Sequence, residues 1–332
     1  MLSQGLVEAP PRGTPMTTTA PAPGTLEAPA APASRPKRRR SPLPYILATP
    51  AIIALLAGMG YPLIWQVWNS FREYGLAQQF GQAPEFVGLD NYIELLTGSE
   101  FWGVLAKSVV FMAVTAGATM VLGIGLALLM KHIAGWARIT LQVAMLLAWA
   151  MPIVAQMTVW NWLIDDRNGV LNYLLSLLPG VDMIGHDWLE SPLSFFAVAS
   201  VIITWASVPF VALSVYAGLT QVSDDVVEAA QLDGAGGFQM LRRITLPILR
   251  PILVILLLLQ MIWDLRVYAQ IELLQGFGAA GTQYDLLGTY IYGLGIGQGH
   301  FGVAAAAAML VMLFTIALSW FYVRELLKED AQ

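Results

Sequence analysis

Six stretches of this chain, about 43–70, 104–130, 138–163, 193–221, 248–271 and 301–323, are almost continuously apolar. At 1.5 Å per helical residue each is long enough to cross a hydrocarbon layer roughly 30 Å thick. Backbone polar groups inside lipid need partners within their own segment, so the expectation is an all-α integral membrane protein with six transmembrane helices. Composition agrees. Of 332 residues 57% are hydrophobic and 12% charged, against roughly 25% charged in soluble domains.

The polar residues between the spans set the orientation. Lys131, Arg138, Arg242, Arg243, Arg250, Arg324 and Lys328 fall on the same side as the basic run ending at Arg40, whereas Arg72, Lys107, Arg167 and Arg266 fall on or toward the other. An even number of spans puts both termini on one side, and the excess of Lys and Arg makes that side cytoplasmic. Residues 1–42, rich in Pro, Ala and Thr, lack the apolar content for a core and read as a disordered basic cytoplasmic tail. The apolar stretch after it is longer than a signal peptide's and has no small-residue cleavage site, so it reads as a retained helix. Residues 43–332 then form one six-helix domain, whose external segments 72–103 and 164–192 are acidic and suit short interfacial helices.

A net charge of −5 and the lipid-like composition leave no role for nucleic acid. With no cysteine there is no disulfide, thiolate metal site or Cys nucleophile, and His132, His186 and His300 share no metal-ligand spacing. No catalytic residue and no metal site are expected.

Between the fourth and fifth spans lies a polar segment, residues 222–247. It contains Glu228-Ala229-Ala230, Asp233-Gly234-Ala235 and Leu246-Pro247. Ser223 or Asp224 can cap a helix start, and acids in the first turn face its partial positive charge. The two alanines present a flat surface for close approach, and Gly234 permits a sharp turn. A second short stretch follows, with Phe238, Leu241 and Ile244 on one side and Arg242 and Arg243 on the other. Pro247 and Pro251 then restart the chain as the next helix. This segment resembles the EAA loop of the membrane permeases of bacterial ABC importers, in particular the carbohydrate-uptake group that includes the maltose permease. Phe238 and Leu241 stand where Trp and Phe are usual. Phe86-Val87-Gly88-Leu89-Asp90-Asn91-Tyr92 and Gly169-Val170-Leu171-Asn172 extend the resemblance. Taken as chemistry alone they are a turn and a helix cap.

The resemblance implies a type I, MetI-like permease core in the cytoplasmic membrane, surrounded by lipid and paired with a second homologous permease, more often a different chain than a copy. It implies two nucleotide-binding ATPase subunits, carrying ATP and Mg, and an external sugar-binding lipoprotein. The chain itself holds no cofactor and has no Gly-x-x-x-x-Gly-Lys-Ser/Thr phosphate loop. Contact with the ATPase falls, by resemblance, on Glu228, Ala229, Ala230, Asp233, Gly234, Ala235 and Phe238.

Sugar sites need hydroxyl-matching polar groups and an aromatic face, and polar groups in a membrane are costly unless turned inward. In the fifth span Gln260, Trp263, Asp264 and Val267 recur at i, i+3, i+4 and i+7, one stripe of a helix. By resemblance these positions line the sugar pocket of the maltose permease. Asp264 either meets sugar hydroxyls or an amino-sugar cation, or pairs with an arginine of the partner permease. Arg266, two residues on, points away from it on a regular helix. In the fourth span Pro209 frees the carbonyl of Trp205 while Ala206, Ser207 and Phe210 share a side. Pro152, Gln156 and Trp160, with Asn161 beside them, border the path or simply pack helices. Gly117, Gly123 and Gly125, and the run Ala304 to Ala308, permit close helix approach.

The expected function is ATP-driven, binding-protein-dependent import of a di- or oligosaccharide or amino sugar by alternating access. Alternatives are a non-sugar solute such as glycerol phosphate, a membrane transferase and a secondary carrier. The transferase would rest on Asp165-Asp166, more simply a helix end, and the carrier would need an internal repeat, which is not found.

Overall fold

The computed structural model describes residues 43–279 and 281–329; the tail at 1–42 lies outside them. The chain divides into two units, Met1–Ala54 and Leu55–Gln332. The first contributes helix α1 (Leu43–Leu55) as far as Ala54. The second opens with a π turn, Leu56–Gly60, and α2 (Tyr61–Ser70). There follow β1 (Arg72–Glu73), α3 (Leu76–Gln79), β2 (Glu85–Phe86), α4 (Asp90–Thr97), α5 (Ser99–His132), α6 (Gly135–Trp149), α7 (Ile153–Ile164) and α8 (Val170–Ser176). The remainder is α9 (Pro192–Leu219), α10 (Asp224–Leu232), α11 (Gly237–Met240), a π turn at Leu241–Thr245, α12 (Leu246–Leu265), α13 (Ala269–Gly276), α14 (Leu287–Tyr292) and α15 (Phe301–Glu329).

Among the described residues five helical stretches are long and apolar enough to cross a membrane: Ile46–Ser70, Ser99–His132, Pro192–Leu219, Gly237–Leu265 and Phe301–Trp320. The expected third span is instead two helices, α6 and α7, bent by 101° at a short break. Pro152 is the cause. It lacks the N–H that would continue α6 and it restricts Met151 before it, so it serves as the N-cap of α7, with ψ 138°. Pro247 opens α12 as expected, but no break in the helical run precedes it, and Pro251 lies inside the helix. Helix continues from Gly237 to Leu265. A π turn just upstream takes up the mismatch that a proline makes in the i→i−4 ladder.

The core centres on α5 and α9, which pack against each other more extensively than any other pair, with α12 against both. Gly123 is why they approach so closely: a Cβ there would lie 2.6 Å from Val211 Cγ1 and 2.8 Å from Val211 Cβ. Gly117 and Gly125, expected to act likewise, have nothing within 4 Å of a built Cβ and face open space. Ala304 to Ala307 are buried as expected. Gly123→Leu should destabilise the permease by about 1–3 kcal/mol through overpacking, with partial recovery in a Gly123→Leu/Val211→Ala double variant. Thermal unfolding in detergent would measure both.

Two asparagines latch the external loops. Asn91 Nδ2 donates to the Ser70 and Arg72 carbonyls at 2.9 and 3.0 Å, and Tyr92 donates to Ser70 Oγ at 2.7 Å. The short β1–β2 ladder between them pairs Arg72 with Phe86. Asn172 donates to the His186 carbonyl at 2.9 Å and accepts from Trp188 Nε1 at 2.6 Å. Asp165 is the C-cap of α7, and its carboxylate accepts from the Arg167 and Asn168 amides at 3.1 and 2.7 Å. That supports the helix-end reading of Asp165-Asp166. Lys107 Nζ donates to the Thr282 and Gln283 carbonyls, so the start of α5 and the loop after α13 lie on the same side.

Candidate functional site

The polar segment folds as the expected hook. Ser223 occupies the N-cap of α10, though without a side-chain bond to the helix. The other end closes on a precise hydrogen-bond pattern. The amide of Gly234, at φ +80°, donates to the Gln231 carbonyl at 3.0 Å, and that of Ala235 donates to the Ala230 carbonyl at 3.0 Å. This is a Schellman closure, in which a left-handed residue just past the helix lets two amides reach back to orphan carbonyls. Ala230 is buried beneath it, while Glu228, Ala229 and Asp233 are exposed and Ala235 is half-buried. Phe238 is 75% exposed and Leu232 89%. A polar hook that leaves two large apolar side chains in water offers a surface for another protein.

The second cluster sits where α9 and α12 meet. Ser207, Trp263, Asp264 and Val267 border one cavity of about 540 Å³, together with Ile203, Arg266 and Tyr268. Their arrangement differs from a single helical stripe. Helix α12 ends at Leu265 and Arg266 leaves helical geometry, with φ −102° and ψ 12°, so Val267 reaches the cavity from the following turn. Arg266 therefore borders the same cavity as Asp264 instead of pointing away from it. Gln260 is buried one turn below, and its Nε2 donates to Asp264 Oδ1 at 2.9 Å. Asp264 is only 2% exposed, and neither its Oδ2 nor Gln260 Oε1 has a hydrogen-bond partner among the described residues.

Aromatic rings extend from the cavity. Trp263 lies 5.4 Å from Phe210, which stacks on Trp149 at 6.2 Å and 20° between planes. Trp149 is the last residue of α6, delivered by the break at Pro152. Trp160 meets Trp205 edge-on at 5.9 Å, a separate pair. Ala206 is half-buried and Gln156 fully buried in α7; neither borders the cavity. Pro209 is buried within α9, which runs through it to Leu219. Sequence reasoning missed Trp149 and Tyr268, because only the break after α6 and the end of α12 bring them to this place.

Residues 119–324 match the family model described as binding-protein-dependent transport system inner membrane component. The chain is 39% identical, over 86% of its length and 87% of the relative's, to the diacetylchitobiose uptake system permease protein DasB of Streptomyces coelicolor. It is 31% identical to the trehalose/maltose transport system permease protein MalF of Thermococcus litoralis, over 88% of this chain and 96% of that one. The sulfoquinovosyl glycerol transport system permease protein SmoG of Agrobacterium fabrum is 29% identical over 87% and 91%. In fold the chain is similar to a subunit of a bacterial ABC transporter that imports the acidic polysaccharide alginate, with TM-score 0.72 and 24% identity over 85% of this chain and 94% of that one.

Proposed function

The chain belongs to the family of binding-protein-dependent transport system inner membrane components, and from that premise we propose that it is one of two permeases enclosing the sugar path of an ABC importer. Its relatives are named for uptake of diacetylchitobiose, trehalose/maltose and sulfoquinovosyl glycerol, saccharides or a glycoside. The observation that carries the sugar reading is the ring array Trp149–Phe210–Trp263 beside Ser207 and Asp264. Aromatic faces cover the apolar faces of a pyranose, while the hydroxyl and carboxylate accept or share its hydroxyl protons. A di- or oligosaccharide is the substrate class, and an N-acetylated or amino sugar fits the same polar groups.

Both termini and the hook at 222–247 face the cytoplasm in this reading. There the exposed Glu228, Ala229, Asp233 and Phe238, with the Gly234 turn, seat in a groove of one of two ATPase subunits. Closure of those subunits on ATP and Mg pulls the hook, and α12 continues from it without a break to the cavity at Asp264. The pull thereby switches the path between outward- and inward-facing states. An external binding lipoprotein delivers the sugar, and a different second permease completes the path.

Reconstitution tests this. Purified alone in vesicles, the chain should move no sugar. With its second permease, ATPase subunits and loaded external receptor, uptake should require ATP. Uptake by the chain alone would overturn the proposal.

A further inference from the structure

Two further cavities lie between the same three helices, α5, α6 and α9. The first, about 260 Å³, is bordered by Lys131 at the end of α5, Arg138 in the first turn of α6, and Tyr216 and Thr220 at the end of α9. Among the described residues the one ion pair is Arg167 with Asp166, so no acid there neutralises either cation. Helix α6 begins at Ala134 without a side-chain cap, which leaves its first amides and their partial positive charge facing the same region. The second cavity, about 610 Å³, is bordered almost wholly by apolar groups, among them Leu122, Leu126, Met145, Ala148, Val201 and Val208. Along each helix it begins about 7–11 Å deeper in the membrane than the basic pocket. On α9 it is bordered by Val201, Trp205, Val208 and Pro209, whereas Ile203 and Ser207 border the cavity at Asp264.

We propose that these cavities together hold one anionic phospholipid of the inner leaflet, its phosphate at Lys131 and Arg138 and an acyl chain in the groove above. A free phosphate would satisfy the basic pocket alone. The aligned apolar groove on the same three helices is what commits the site to a lipid. Basic pockets between spans on the cytoplasmic side are suited to such headgroups. Trp136, 76% exposed in the first turn of α6, sits where interfacial tryptophans anchor helices at the headgroup layer. Val222 also borders the pocket, two residues before α10, so the lipid would steady the root of the coupling hook. The placement in the inner leaflet rests on the orientation proposed above.

The test uses the complete importer in nanodiscs, with retained lipid counted by native mass spectrometry. Lys131→Ala/Arg138→Ala should weaken retention of phosphatidylglycerol about 30-fold while leaving phosphatidylcholine unchanged. Ala148→Trp, which fills the groove, should also lower phosphatidylglycerol retention. Equal retention by the double variant, or displacement of the lipid by millimolar inorganic phosphate, would overturn the proposal. So would an Ala148→Trp complex that fails to assemble its two permeases yet keeps its lipid, since a partner helix would then fill the groove. The orientation is checked separately, because the chain contains no cysteine. A Gln221→Cys variant labelled only from outside the cell would refute the orientation and leave the lipid count untouched.

Discussion

Replacing Gly234 with valine is expected to stop coupled transport while leaving the membrane helices folded. The residue sits at φ +80° in the closure of α10, where a side chain is strained and a β-branched one most of all. Open space surrounds it, with nothing within 4 Å of a built Cβ, so the effect is one of backbone conformation and not of packing. Holding valine there costs about 1–3 kcal/mol, and relief comes by abandoning the two reach-back bonds from Gly234 and Ala235. The hook then turns at a different angle, and Asp233 and Phe238 no longer present one surface with Glu228. Sugar uptake in proteoliposomes should fall by about 10-fold or more, as the same energy implies for a docking equilibrium. Asparagine, which visits left-handed geometry, should retain the most activity, alanine less and valine least. Thermal stability of the permease should stay near that of the parent. Wild-type uptake by Gly234→Val would remove the hook from the coupling mechanism.

What could be read in the sequence was what local chemistry decides. The hook is an example: glycine after a helix, flanked by small residues, closes that helix by itself, and the closure appears at Gly234. The spans were legible for a similar reason, since burial in lipid depends on run length. The break between α6 and α7 escaped because the residues on either side of Pro152 remain apolar, so hydropathy runs straight through a bend of 101°. The spacing of Pro152, Gln156 and Trp160 says nothing of the break; the missing amide of Pro152, which caps α7, is the informative property. Val267 reaches the expected cavity, but not along the helical stripe. Extending a period of 3.6 past Leu265 assumes that the helix goes on, and neither glycine nor proline marks the stop. The end of α12 is instead met by Gly288, where a Cβ would lie 2.5 Å from the Val267 carbonyl. That contact spans more than twenty residues of chain and has no local signature. The latches at Asn91 and Asn172 share this property, since their partners lie 19–21 and 6–16 residues away.

The buried pair in α12 separates stability from transport. Gln260→Leu removes the donor to Asp264 Oδ1 and leaves a carboxylate, already unpartnered at Oδ2, with no hydrogen bond from its own helix. Removing the amide donor to a buried carboxylate costs about 1.5–3 kcal/mol. Asp264→Asn is the gentler change, because it keeps the shape and replaces a costly buried charge by a neutral amide that can still bond Gln260. Gln260→Leu should therefore lower the unfolding temperature of the purified permease markedly, and Asp264→Asn should leave it level or raise it. Transport should rank otherwise. Asp264 borders the cavity and Gln260 does not, so Asp264→Asn should impair uptake of hydroxyl-rich sugars despite its stability. A Gln260→Leu protein that remains folded should import more per molecule than Asp264→Asn. If Asp264→Asn transports at the parental rate across a panel of disaccharides, the carboxylate serves helix packing, and recognition passes to the Trp149–Phe210–Trp263 rings and Ser207.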